Sequence, residues 1–246
     1  MRITYSGPLP TEQIRELPTP ELAMALLRSF GAGDTINANS MLRGAEQAFE
    51  SNGEHDVNAL LSRLSDAWAW LVARGLIGPH AKQTDASWKR VTSLGREMAE
   101  DPNGQAKLWA ADRLAGTLDP ALEEKVRPIF NLGDYETACF AAMKAVEVEV
   151  RAASGLDSSV LGVDLMRQAL RPGGPLADQG AHGGEVVALM ELFAGAIGAF
   201  KNPSSHRTVH FDDPVEAAEV VQLADLLLRL LRRAQQHNTS EGSQGE

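Results

Sequence analysis

The chain carries a single cysteine, Cys139, in 246 residues. That excludes a disulfide framework and any cysteine-based zinc site, and it fits a reducing compartment. Aromatic residues make up 5% of the sequence, and alternating runs of Val, Ile, Thr and Tyr are nearly absent, which removes the pattern of a sheet-rich protein. No stretch approaches the ~20 uninterrupted apolar residues of a membrane span, and the opening MRITYSGPLPTEQ lacks an apolar signal core. A cytoplasmic location without a membrane partner is therefore expected. Positive charge is short too: 23 Lys plus Arg stand against 33 acids, a net of −10. This excludes broad coating of nucleic acid by a basic surface but leaves room for one small site. What is present, 43% hydrophobic and 23% charged residues, suffices for a buried core in one large domain or two small ones.

The Ala, Leu, Glu and Arg content leans helical, so the expected class is mainly α. Thr19 to Phe30 reads as a helix with Pro20 in its first turn, followed by helices near Asn39–Phe49 and Asp56–Arg74. In the last of these, Leu60, Leu61, Leu64, Ala67, Trp68 and Leu71 form one apolar stripe, and Gly75 ends it. Leu76-Ile77, a polar loop, the strand-like run Trp88 to Thr92 and Gly95 come next. Three helices followed by strand, loop and strand resemble a winged helix-turn-helix, which assigns residues 18–100 to an N-terminal winged-helix-like domain behind an arm at 1–17. Arg63 and Arg74 are the only cations its long helix offers, against Asp56 and Asp66. Lys82, Lys89 and Arg90 make the wing basic, a candidate contact for DNA or for a protein partner.

Residues 101–117 read as a linker or bridging helix, and 118–236 as a second, wholly helical unit. Asp119-Pro120 opens a helix running through Val126 to about Phe130. Asp134 caps the next, which carries Cys139, Met143, Val146 and Val150 on one face and stops at Gly155. Helices at about Val163–Leu170 and Glu185–Phe200 follow, then one from Asp213-Pro214 to about Gln236. The polar tail 237–246 is expected to be disordered. Glu147 and Glu149 are expected to face water, and His182 to be a loop residue without a partner.

Chemistry concentrates in Phe200-Lys201-Asn202-Pro203-Ser204-Ser205-His206, between two helices. A cation, a polar neighbour and a histidine five positions on are joined by an early set, Gly133, Tyr135, Ala138, Ala142 and Lys144, and a late set, Asp213, Pro214, Glu216 and Ala217. In this order the segment Gly133 to Arg233 resembles a HEPN-type helical bundle, most closely the Ymh-like branch of uncharacterised bacterial proteins. The arginine expected of that pattern is Lys201 here. The resemblance implies a metal-independent endoribonuclease that drives a 2′-hydroxyl onto the adjacent phosphate and leaves a 2′,3′-cyclic phosphate and a 5′-hydroxyl. It further implies a homodimer formed through the bundle, a role in defence or toxin-type systems, and a possible partner protein from the same operon. Catalytic roles fall to His206 for proton transfer, Lys201 for phosphorane charge and Asn202 for orientation, with Arg207 and Lys144 as RNA contacts. His206 and His210 lie four apart, but no third ligand is near in sequence, so neither metal nor cofactor is expected. Because lysine lacks arginine's bidentate fork, a catalytically silent RNA- or nucleotide-binding module is the alternative, and a DNA-binding transcriptional regulator a third.

Overall fold

The computed structural model describes residues 7–31, 35–83, 85–201 and 211–242. It is mainly helical and divides into two compact units, residues 1–105 and 106–246.

In the first unit, α1 (Thr11–Glu16), α2 (Thr19–Ser29), α3 (Ala38–Ser51) and α4 (Val57–Ala73) are joined by a three-stranded antiparallel sheet and α5 (Ser93–Glu100). The strands β1 (Ile36–Asn37), β2 (Ile77–Pro79) and β3 (Trp88–Val91) lie in the order β1-β3-β2, with Ile77 opposite Val91 and Ile36 opposite Lys89. Leu22, Leu26, Phe49, Leu60, Leu64 and Leu71 are sealed from solvent, each such side chain contributing about 1.5–3 kcal/mol. Residues 11–16, read from sequence as part of an arm, form α1 because Ile14 inserts into this core. Arg15 grips Asp56 at 2.9 and 2.7 Å, so the Asp56 carboxylate serves this clasp instead of capping α4. Pro18 stands at the cap position of α2.

The division between the units falls within α6 (Gly104–Arg113). The single helix expected over 119–130 is instead two, α7 (Pro120–Lys125) and α8 (Arg127–Asn131), since Pro128 supplies no backbone donor to continue the first. The long helix α9 (Tyr135–Ser154) is capped by Asp134, whose Oδ1 accepts from the Thr137 N–H at 3.2 Å, and ends at Gly155 in the left-handed conformation. Then come α10 (Gly162–Leu170), α11 (Gly183–Ala196) and α12 (Pro214–Gly242). Ala138, Ala142, Val146 and Val150 of α9 share a core with Ala217, Val221, Ala224 and Leu228 of α12, small side chains that let the two helices pack closely. Cys139 is buried there, and burial pushes its thiol up to about 12, so it is not a nucleophile.

Two expectations are corrected in this unit. The last helix continues past Gln236 to Gly242, where a disordered tail was expected, because Asn238 clasps the 177–179 loop. Its Nδ2 donates to the Ala177 carbonyl at 3.0 Å, and its Oδ1 accepts from the Gln179 N–H at 3.3 Å. His182 has a partner: its Nδ1 accepts from the Gly184 N–H, and Glu185 reaches back to the His182 N–H, a capping box that starts α11 two residues early. The stretch Gly183–Lys201 is also long and apolar enough, by length and composition, to cross a membrane, although Glu185 and Glu191 interrupt it and only 28% of its most apolar window is buried.

Candidate functional site

The α11 backbone does not run on as an ordinary helix to Phe200. From Ile197 to Lys201 it widens into a π-helical turn, a local register shift that re-aims the side chains following it. Ile197 is sealed in the core, while Gly198 lies against Val163 of α10, where an added Cβ would stand 3.4 Å from Cγ2. The turn thereby delivers Lys201 to α9. Its Nζ stands 2.6 Å from Oε2 of Glu147, and the two side chains are only 18% and 8% exposed.

Glu147 does not face water as expected. Its spacing explains why: four residues after Met143 and three before Val150, it falls on the buried stripe of α9. The other oxygen, Oε1, accepts from the Gly162 N–H at 2.8 Å and from Arg151 Nη2 at 3.4 Å. Leu161, at the cap position of α10, has no side-chain acceptor to offer, so Glu147 caps that helix from a distance. Burial works against charge on Glu147, but the Lys201 hydrogen bond, the Gly162 N–H and the charges of Lys201 and Arg151 outweigh it and hold the carboxyl below its ordinary value. Lys144 is exposed one turn before Glu147, on the same side of α9 as Arg151. Of the residues singled out from sequence, Lys201 thus meets the buried carboxylate, and Lys144 lies one helical turn away at an exposed position. Asn202, His206 and Arg207, with His210, lie outside the described residues.

A comparison with known families bears on this second unit. Residues 116–231 match the model of a family described as "Protein of unknown function (Hypoth_ymh)". No curated protein and no solved structure matches the chain. The matched segment runs from just before α7 into α12, so it contains both sides of the Lys201–Glu147 pair and none of the sheet. It also contains a second buried carboxylate, Asp119, which sequence reading took only as a helix start. Arg232, one residue beyond the matched segment, grips Asp119 through Nε at 2.6 Å and Nη2 at 2.9 Å, and Asp225 accepts from the Asp119 N–H at 2.6 Å. That arrangement ties the start of α7 to α12. Glu149 is half-buried, 3.9 Å from the same Arg232.

Outside the matched segment, the wing residues do not form one patch. Lys82 is exposed, but Lys89 and Arg90 are adjacent on β3 and half-buried, so they project to opposite faces of the sheet. The cations of α4 are committed as well. Arg63 turns inward to donate to the carbonyls of Ile14 and Leu17, and the Arg74 guanidinium lies 4.3 Å from the ring centre of Trp70. The exposed residues of α4 are Asn58, Ala59, Ser62, Ser65, Asp66, Ala69, Val72 and Ala73, with no cation among them. Among the described residues, no group of three or more His, Cys, Asp or Glu is arranged to hold a metal ion.

Proposed function

We propose that the second unit is a HEPN-like, RNA-directed, metal-independent endoribonuclease acting as a homodimer formed through the helical bundle. The observation that carries the reading is the π-helical turn, which fixes Lys201 beside Glu147 and Arg151 with Lys144 nearby, at the last described residue before Asn202 and His206. In this reaction His206 takes the proton from a ribose 2′-hydroxyl or returns one to the leaving 5′-oxygen. Lys201 stabilises charge on the non-bridging oxygens as the phosphorane forms, and Asn202 orients the phosphate. Lys144 and Arg207 hold the flanking RNA backbone. A site this small is compatible with an acidic chain, because it asks for a few local cations rather than a basic face. The HEPN resemblance supports a cytoplasmic setting in defence or toxin-type systems, with a partner protein from the same operon as the restraint. Incubating purified protein with total RNA in EDTA tests the activity directly.

One observation favours a second reading, a catalytically silent RNA- or nucleotide-binding module: Lys201 replaces arginine, and its ammonium is engaged by a buried carboxylate. Lys201→Arg separates the two, since a large gain in cleavage identifies a competent fold limited by the lysine. For the first unit we read a winged-helix-like adaptor for a protein partner in preference to a DNA-binding regulator, because α4 turns Arg63 inward and β3 splits Lys89 from Arg90. Salt-dependent binding of the chain to its own promoter, weakened by Lys89→Ala with Arg90→Ala, overturns that preference.

A further inference from the structure

Glu147 does more than cap a helix. Capping α10 uses Oε1 alone, through the Gly162 N–H, and a neutral amide would serve there equally well. The charge and the second oxygen are spent on Lys201, at 2.6 Å, with Arg151 on the flank at 3.4 Å. Lysine is a point charge on a four-carbon stem, without the planar fork that fixes an arginine. Its placement therefore depends on what it is tethered to, and here the tether is itself held by a backbone N–H and buried in the bundle.

We propose that Glu147 is the positioning residue of Lys201: anchored on the start of α10, its carboxylate sets where the ammonium stands for the phosphate. The inference rests on the ribonuclease reading for its consequence in catalysis, and on geometry alone for the placement. It assigns α10 a function, since any displacement of Gly162 moves the carboxylate and with it the lysine. Arg151 balances the remaining charge of Glu147 from one turn along α9, so the pair is not an isolated ion contact.

A double-mutant cycle in the full chain tests it, using Glu147→Gln, Lys201→Met and the two together, with cleavage of a labelled single-stranded RNA in EDTA as the readout. Gln keeps the acceptor for Gly162 and removes the charge together with the second acceptor that faces Lys201, and thermal unfolding checks that each variant is folded. Glu147→Gln is expected to lower cleavage roughly 10- to 100-fold in the native background and to lower it no further once Lys201 is Met. An equal loss in both backgrounds, or no loss in the native one, overturns the proposal and leaves Glu147 a structural cap. The side-chain amine of Lys201 in nitrogen–proton NMR reads the placement without any activity: a protected signal is expected, and it disappears in Glu147→Gln. If that signal behaves so while the native chain cuts no RNA, the placement stands and the ribonuclease reading fails; if the signal is unprotected or indifferent to Glu147→Gln, the placement fails.

Discussion

Glu147 Oε1 accepts the Gly162 N–H at 2.8 Å, so a carboxylate on α9 performs the capping that Leu161, at the head of α10, cannot. The same group faces the Lys201 ammonium at 2.6 Å. Two kinds of loss can thus be separated at one position. Glu147→Gln preserves the cap but takes the counter-charge from Lys201 and is expected to cost about 3 kcal/mol, whereas Glu147→Ala also leaves the Gly162 N–H without its acceptor and is expected to cost about 1 kcal/mol more. Urea unfolding of the two variants beside the native chain measures the difference.

Asp119 predicts an acid-sensitive joint. The Arg232 fork holds its carboxyl below the usual carboxylate range, against the effect of burial, with help from the Ala121 N–H. A depressed folded-state value means stability that is present above the unfolded value, about 4, and lost as pH falls through the folded one. At neutral pH Asp119→Asn is therefore expected to unfold at lower urea than the native chain. The gap between them narrows as pH drops below about 4. A gap that stays constant from pH 7 to pH 3 contradicts the assignment.

Arg63 predicts a local effect in the first unit. Its guanidinium satisfies the carbonyls of Ile14 and Leu17, so Arg63→Met leaves both without their donor and loosens the docking of α1. Hydrogen exchange at the amides of 11–17 is expected to accelerate first, with little change in α9 or α12.

How much of this was legible in the sequence depended on whether the deciding contact was local. Asp134, Gly155 and the Asp213-Pro214 pair are local signals, and the ends of α9 and the start of α12 follow them. The strand β1 was invisible because two residues carry no period, and it exists only through pairing with β3. The helix α1 depends on Ile14 finding a core supplied by distant residues. At the site, Lys201 and Lys144 stood out by type and order, but Glu147 did not. Its run, Glu147-Val148-Glu149-Val150, alternates as an exposed ribbon would. Only the helical register from Met143 to Val150 puts it inside, and no sequence pattern announces a π-helical turn that carries a lysine to it.

Asn238 predicts the fate of the last turns. Its side chain bridges the Ala177 carbonyl and the Gln179 N–H, contacts that a polar composition does not disclose. Asn238→Ala is expected to speed amide exchange both over 237–242 and over 177–179. Acceleration at only one of the two places speaks against the clasp.

The most direct measurement is the end chemistry of RNA incubated with the full chain in EDTA, comparing the native protein with His206→Ala. The proposed function predicts cleavage that EDTA does not suppress, fragments ending in a 2′,3′-cyclic phosphate and beginning with a 5′-hydroxyl, and a loss of roughly 10²- to 10⁴-fold in His206→Ala. Intact RNA, cleavage abolished by EDTA, or full activity in His206→Ala contradicts it.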